Sequence, residues 1–336
     1  MSETIAVLGA GSWGTALASL LADKGHDVTV WSYETDVADA INESHENPRY
    51  LRGIPLAPAL RASAQLERCV RDVPVIVSVS PAQHVRRVLT QVAPVMLPDA
   101  LVVSASKGIE MKSLKTMAQV AVEVLPRPAA ASACYISGPS FALEVAKGLA
   151  TAVTIASHDA AAAVRAQEIF QTSYFRVYTS EDVTGVELGG SLKNVIAIAA
   201  GMAVGLGLGH NATAALITRG LAEMMRLGVA LGANPLTLSG LAGMGDLILT
   251  CTGDLSRNRH VGTELGKGRA LADVLAEMTM IAEGVDTTRA AYALAQREGI
   301  EMPIVSEVHA VLFEEQPARE ALDRLMLREP KPELWR

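Results

Sequence analysis

Cysteine is scarce in this 336-residue chain: Cys69, Cys134 and Cys251 stand far apart, an odd number without a Cys-x-x-Cys pair. A disulfide framework and a structural zinc site are therefore not expected, and a reducing cytoplasm is the compartment that fits. Long basic runs are missing as well. With 36 acidic against 29 basic residues the net charge is −7, which argues against nucleic acid or an anionic membrane as the main partner. Any anionic ligand must then be held by a few local cations. The seven histidines lie at no metal-ligand spacing to a second His or to a Cys, so no metal is assigned. Without Gly-x-Ser-x-Gly or a Ser-His-Asp grouping, acyl hydrolysis lacks support.

Targeting and membrane signals are absent too. Met1 to Thr4 passes straight into Ile5-Ala6-Val7-Leu8 without the basic flank and longer apolar core of a signal peptide. The most hydrophobic stretch, Val195 to Leu208, is broken by Gly201, Gly205 and Gly207 and falls short of the ~20 residues of a spanning helix. It reads as a buried helix in a soluble protein. No internal repeat or low-complexity linker divides the chain.

What the chain does have is apolar content: 50% of its residues are hydrophobic and 19% charged, enough to bury at least one large core. At ~100–200 residues per domain, two domains are expected. The first half alternates β-like runs (Ile5–Leu8, Val28–Trp31, Val75–Val79, Leu101–Ser104, Cys134–Ser137, Thr151–Ile155) with helical stretches at 14–24, 35–42 and 81–95. That alternation predicts an α/β fold, a Rossmann-type doubly wound, mostly parallel sheet. After about Thr184 long Ala/Leu/Met-rich segments take over, so an all-helical C-terminal domain should follow. The reading is a dinucleotide-binding domain over 1–184 and a helical substrate-binding and catalytic domain over 185–336.

Gly9-Ala10-Gly11-Ser12-Trp13-Gly14 follows the first strand and opens the first helix, the setting in which G-x-G-x-x-G signals a dinucleotide site. Gly9 allows a tight turn, Gly11 the approach of a pyrophosphate and Gly14 close packing, while the helix N-terminus offers free N–H groups. Past the second strand, Glu34 suits the adenosine ribose or a solvated helix start, and Arg49 and Arg52 are within chain reach of a 2′-phosphate. The choice between NAD and NADP stays open.

Lys107, in Ser106-Lys107-Gly108, projects from the C-terminal end of a predicted strand, where open α/β sheets build their ligand crevice. Ser137-Gly138-Pro139-Ser140 can form an anion nest or merely reverse the chain. Lys193 enters the second domain on the edge of a segment almost free of other charge, where desolvation would lower its pKa and suit it to proton transfer. Gly243 to Arg259 reads as a glycine- and polar-rich loop. In it Ser256, Arg257 and Asn258 combine a hydroxyl, a guanidinium and an amide suited to a phosphate. Asp246 reads either as a turn residue or as an acceptor for a substrate hydroxyl and for Lys193.

Taken in order, the motifs Gly9–Ala18, Ser106-Lys107-Gly108, Ser137–Ala142, Lys193-Asn194-Val195 and Ser256-Arg257-Asn258 resemble the NAD(P)-dependent glycerol-3-phosphate dehydrogenase family in its bacterial form. Asn47 to Pro55 and Ala282-Glu283-Gly284 fit the same pattern. The resemblance implies that Ser12, Trp13 and Tyr33 contact NAD or NADP, with Ala142, Arg257, Ile281 and Glu283 completing the pocket and Lys107 serving both ligands. It implies that Gly138, Ser140, Asp246, Ser256, Arg257 and Asn258 hold glycerol 3-phosphate, with Lys193 as catalytic acid/base. Two departures stand out: Tyr33 where relatives often carry a basic or imidazole side chain, and Arg52 where Pro is common. The implied reaction is reversible hydride transfer between the nicotinamide and dihydroxyacetone phosphate, giving sn-glycerol 3-phosphate for phospholipid synthesis. A cytoplasmic homodimer without nucleic-acid partners or membrane insertion is the implied form. Two alternatives come from the residues themselves: a dehydrogenase of a β-hydroxy acid or sugar-acid phosphate, and a non-catalytic nucleotide sensor on the same fold.

Overall fold

The computed structural model describes residues 2–330 and 332–333. Ten strands run β1 Thr4–Leu8, β2 Asp27–Trp31, β3 Arg61–Ser63, β4 Val75–Ser78, β5 Leu101–Ser104, β6 Ile109–Glu110, β7 Lys115–Thr116, β8 Cys134–Ser137, β9 Thr151–Ala156 and β10 Phe175–Ser180. Eight of them form one sheet in the order β10-β9-β8-β5-β4-β1-β2-β3, and β6 and β7 make a separate small hairpin. All pairs in the large sheet are parallel except β8 with β9. The mostly parallel expectation holds.

Strands β4, β5 and β8 are buried along their whole length, because helices cover both faces of the sheet and leave no wet side. Strand β10 lies at the edge and alternates, with Phe175 and Val177 buried and Arg176 and Tyr178 exposed. The chain leaves β1 toward β2 and β3, then returns to place β4 on the other side of β1. Such a reversal opens a crevice at the C-terminal strand ends. Gly9, Ser80 and Lys107 follow β1, β4 and β5 at that crevice.

Beyond β10 the described residues are helical. The Val183–Gly205 helix is nearly all buried. Among the described residues it is the one unbroken helix long and apolar enough to cross a membrane, yet it is the core helix around which the others pack. Leu188, Leu192, Val195, Ile196 and Ile198 are at most 1% exposed, and each buried side chain of this size contributes ~1.5–3 kcal/mol. Its Gly201 and Gly205 meet the Arg257–Gly266 helix backbone to backbone. A Cβ on Gly201 would lie 2.0 Å from the Arg259 carbonyl oxygen, and one on Gly262 would lie 1.9 Å from that of Ile198. No larger residue fits there without parting the helices.

Candidate active site

The glycine turn after β1 has the form a pyrophosphate requires. Gly9 adopts φ +127°, a conformation that L side chains rarely take, and a Cβ on Gly14 would sit 1.9 Å from the Gly9 carbonyl oxygen. Gly11 faces open space, and no side chain caps the Ser12–Asp23 helix that starts there. Its first N–H groups are therefore free for an anion. Nearby, the Trp13 Nε1 and Ser32 Oγ atoms are buried with no partner among the described residues. These groups fit a dinucleotide. Tyr33, just past β2, is 73% exposed.

The helical half closes over this turn. Ser12 Oγ lies 3.4 Å from Met280 Sδ, and the Arg257 guanidinium donates to the Ile281 carbonyl at 2.8 Å. Glu283 accepts the Ala82 N–H at 3.2 Å. Burial raises the Glu283 carboxyl to about 7, against the opposing pull of that N–H and of Arg257. Ala142 starts the short Ala142–Ala146 helix and packs on the sheet core.

Further into the crevice three charges from three distant segments meet. The Lys193 ammonium donates to Asp246 Oδ1 at 2.5 Å and to Thr250 Oγ1 at 2.8 Å. Lys107 donates to Asp246 Oδ2 at 2.7 Å and to the Gly138 carbonyl at 3.3 Å. The Gly138 carbonyl also accepts Ser140 Oγ at 2.9 Å. Asp246 is 1% exposed and Lys193 7%. Burial lowers Lys193 to about 8, Asp246 opposes the shift and Lys107 adds to it. Burial alone would raise Asp246, but Lys107 and Lys193 outweigh it and leave the carboxyl below its ordinary value. Asp246 thus accepts from both lysines at once.

The segment read as a loop is instead a π-helical turn, Leu241–Gly245, followed by the Asp246–Thr252 and Arg257–Gly266 helices. Asp246 opens the first of these helices, so Thr250 falls one turn later on the same face. Ser256 caps the second through its hydroxyl, which accepts the Arg259 N–H at 3.2 Å. Asn258 donates to Asn194 Oδ1 at 2.9 Å and accepts the Gly284 N–H at 2.9 Å. One amide hydrogen of Asn258 remains for a ligand. The helix N-terminus carrying Arg257 is thus tied both to the helix of Lys193 and to the segment of Glu283.

Thr250 and Asn194 were not assigned roles from the sequence. Thr250 was legible only through its i+4 spacing from Asp246, which a loop reading hides. Tyr33 follows β2, so strands β1 and β4 lie between it and Lys107, which follows β5.

Residues 4–163 match the family described as NAD-dependent glycerol-3-phosphate dehydrogenase N-terminus, and residues 182–323 match its C-terminus. A relative from Geobacter sulfurreducens is 57% identical over 335 residues, covering 100% of both chains. One from Myxococcus xanthus is 52% identical over 328 residues, covering 98% of each. Both bear the name glycerol-3-phosphate dehydrogenase (NAD(P)+). The crystal structure of glycerol-3-phosphate dehydrogenase from Coxiella burnetii superposes with a TM-score of 0.93 at 41% identity, covering 97% of this chain and 99% of that one. This chain belongs to the NAD-dependent glycerol-3-phosphate dehydrogenase family.

Proposed function

We propose that this chain is an NAD(P)-dependent sn-glycerol-3-phosphate dehydrogenase that reversibly reduces dihydroxyacetone phosphate to sn-glycerol 3-phosphate. The observation that carries the reading is the buried Lys107–Asp246–Lys193 cluster beside a glycine turn fit for a dinucleotide. When bound, the nicotinamide supplies or accepts the hydride. As negative charge develops on the ketone oxygen, Lys193 stabilises it and delivers a proton, a task suited to a group near about 8. In the oxidative direction the same amine, once neutral, takes the hydroxyl proton. Asp246 and Thr250 fix where that ammonium points, and Lys107 stands on the other side of the carboxylate.

The substrate phosphate is assigned to the N-terminus of the Arg257–Gly266 helix, where Ser256, Arg257 and Asn258 add side-chain donors to free backbone N–H groups. Gly138 and Ser140 complete the substrate side. Gly9, Gly11, Ser12, Trp13, Gly14, Tyr33, Lys107, Ala142, Arg257, Ile281 and Glu283 are assigned to the dinucleotide. The functional division is put after residue 184, in the first turn of the Val183–Gly205 helix that follows the last strand. Supply of a phospholipid precursor in the cytoplasm, as a homodimer, completes the reading. Three free, buried cysteines support the compartment, and light scattering tests the dimer.

The test is the initial rate of reduced-nicotinamide absorbance loss with dihydroxyacetone phosphate, run with NADH and with NADPH. Oxidation that requires the ketone is expected. Cofactor binding without ketone-dependent oxidation would overturn the proposal. Lys193→Ala should lower turnover ~10²–10⁴-fold while dinucleotide affinity changes little.

A further inference from the structure

Between β2 and β3 a loop is pinned to the glycine turn. Asn47 is fully buried, and its Nδ2 donates both to the Ala10 carbonyl and to Thr15 Oγ1, each at 2.8 Å. Its Oδ1 accepts the Tyr50 N–H at 3.0 Å. The amide nitrogen grips the turn and the amide oxygen grips Tyr50, so residues 47–50 are held beside the end of β2. At that end lies Glu34, the acidic residue nearest the position that meets an adenosine ribose in folds of this type.

Glu34 is not free. Its Oε1 accepts the Tyr50 hydroxyl at 2.6 Å, and Arg49 Nη1 stands 3.8 Å from the same oxygen. Burial, followed by the Glu34 carboxylate, pushes the Tyr50 phenol above its ordinary value, so it remains a donor. The Arg49 guanidinium lies over the Tyr50 ring, 5.4 Å from its centroid, and its side chain is 48% exposed. An ion pair so long and so wet is weak, which leaves Arg49 available to a stronger anion. Arg52, two residues beyond Tyr50, is exposed.

We propose that residues 47–50 set the choice between the two dinucleotides: Arg49 takes the 2′-phosphate of NADPH, and Tyr50 holds Glu34 where its charge is balanced. The assignment deepens the dehydrogenase reading and rests on it for the location of the adenosine. Without Arg49, Glu34 faces the 2′-phosphate unbalanced and NADPH is disfavoured. Without the Glu34 charge, the cation stands alone and NADPH gains. Tyr50 is a positioning residue: loss of its hydroxyl releases the carboxylate toward the ribose and shifts preference to NADH.

The experiment compares wild type with Arg49→Ala, Arg49→Lys, Glu34→Gln, Tyr50→Phe and Arg52→Ala. For each, the ratio of kcat/KM for NADPH over NADH is measured. Calorimetry then compares the affinities for adenosine 2′,5′-bisphosphate and ADP. Arg49→Ala should lower the NADPH/NADH ratio by about 10- to 100-fold, the loss expected for a charge-assisted hydrogen bond. Arg49→Lys should recover part of it, Glu34→Gln should raise the ratio, and Tyr50→Phe should lower it. Calorimetry should show Arg49→Ala losing the preference for the bisphosphate over ADP, a result that needs no ketone substrate and so stands apart from the assay of the reaction. A ratio unchanged by Arg49→Ala, an equal loss with both dinucleotides, or a shift produced by Arg52→Ala instead would overturn the assignment.

Discussion

Asp246→Asn removes the charge between two lysines and keeps the side-chain shape. In the native site the carboxylate lies 2.5 Å from the Lys193 nitrogen and 2.7 Å from that of Lys107. It is the main group holding the Lys193 proton against burial. An opposite charge at such range moves a pKa by ~1–3 units, so Lys193 should fall from about 8 to roughly 5–7 in the variant. Ketone reduction needs the protonated amine, so its rate is lost as pH rises through the Lys193 pKa. The basic limb of the kcat profile, near about 8 in the native enzyme, should therefore move down by ~1–3 pH units. At neutral pH the variant should be slow and should recover in mild acid. Folding should suffer too, since removing one partner of a buried pair costs ~3–5 kcal/mol. Pre-steady-state ketone reduction from pH 5 to 9, with circular dichroism to verify folding, measures both effects. A folded variant whose basic limb stays in place, or whose rate falls equally at every pH, would refute the role given to the pair.

Thr250→Val deletes the second acceptor of the Lys193 ammonium. One such bond is worth ~1.4 kcal/mol, so turnover should drop roughly tenfold with dinucleotide affinity intact, as single-turnover and fluorescence titrations will show. Gly14→Ala forces a methyl into the Gly9 carbonyl oxygen; calorimetry should find dinucleotide binding abolished and denaturant titration a loss of ~3 kcal/mol or more. Burial raises Glu187, Glu223 and Glu283 to about 7 each. A carboxyl raised on folding stabilises fully below its unfolded value and loses that contribution as pH rises through the folded one. Stability should thus decline from about pH 4.5 to 7, by ~3 kcal/mol per group. Glu187→Gln should flatten that decline in urea midpoints taken across the range; an unchanged slope would show that Glu187 is ionised in the fold.

Much of the sheet was legible because buried parallel strands carry continuous apolar runs. Ile5–Leu8, Val75–Val79 and Cys134–Ser137 stand out in this way, and β1, β4 and β8 lie at those positions. Strand β3, Arg61-Ala62-Ser63, is short and polar and forms only against β2 at the sheet edge. Strand β10 alternates Phe175 and Val177 with exposed Arg176 and Tyr178, a half-wet pattern that a search for continuous runs passes over. The reversal of β9 against β8 has no local signature, since strand direction depends on how the intervening chain returns.

The sequence by itself determined the chemistry available. A glycine turn at the first strand-helix junction, a lysine after β5 and another in an apolar helix are properties of local composition and spacing. They limit the ligand to an anion held by few cations. Tertiary structure decided which groups act together. Lys107, Lys193 and Asp246 are far apart along the chain, and only the packing of the Val183–Gly205 helix between the sheet and the Asp246–Thr252 helix brings them into one hydrogen-bonded group. The Asn194–Asn258–Gly284 tie and the grip of Asn47 on the glycine turn likewise exist only once the chain is folded. A pKa set by burial and by a neighbour's charge belongs to that assembled environment, and no residue carries it in its own sequence context.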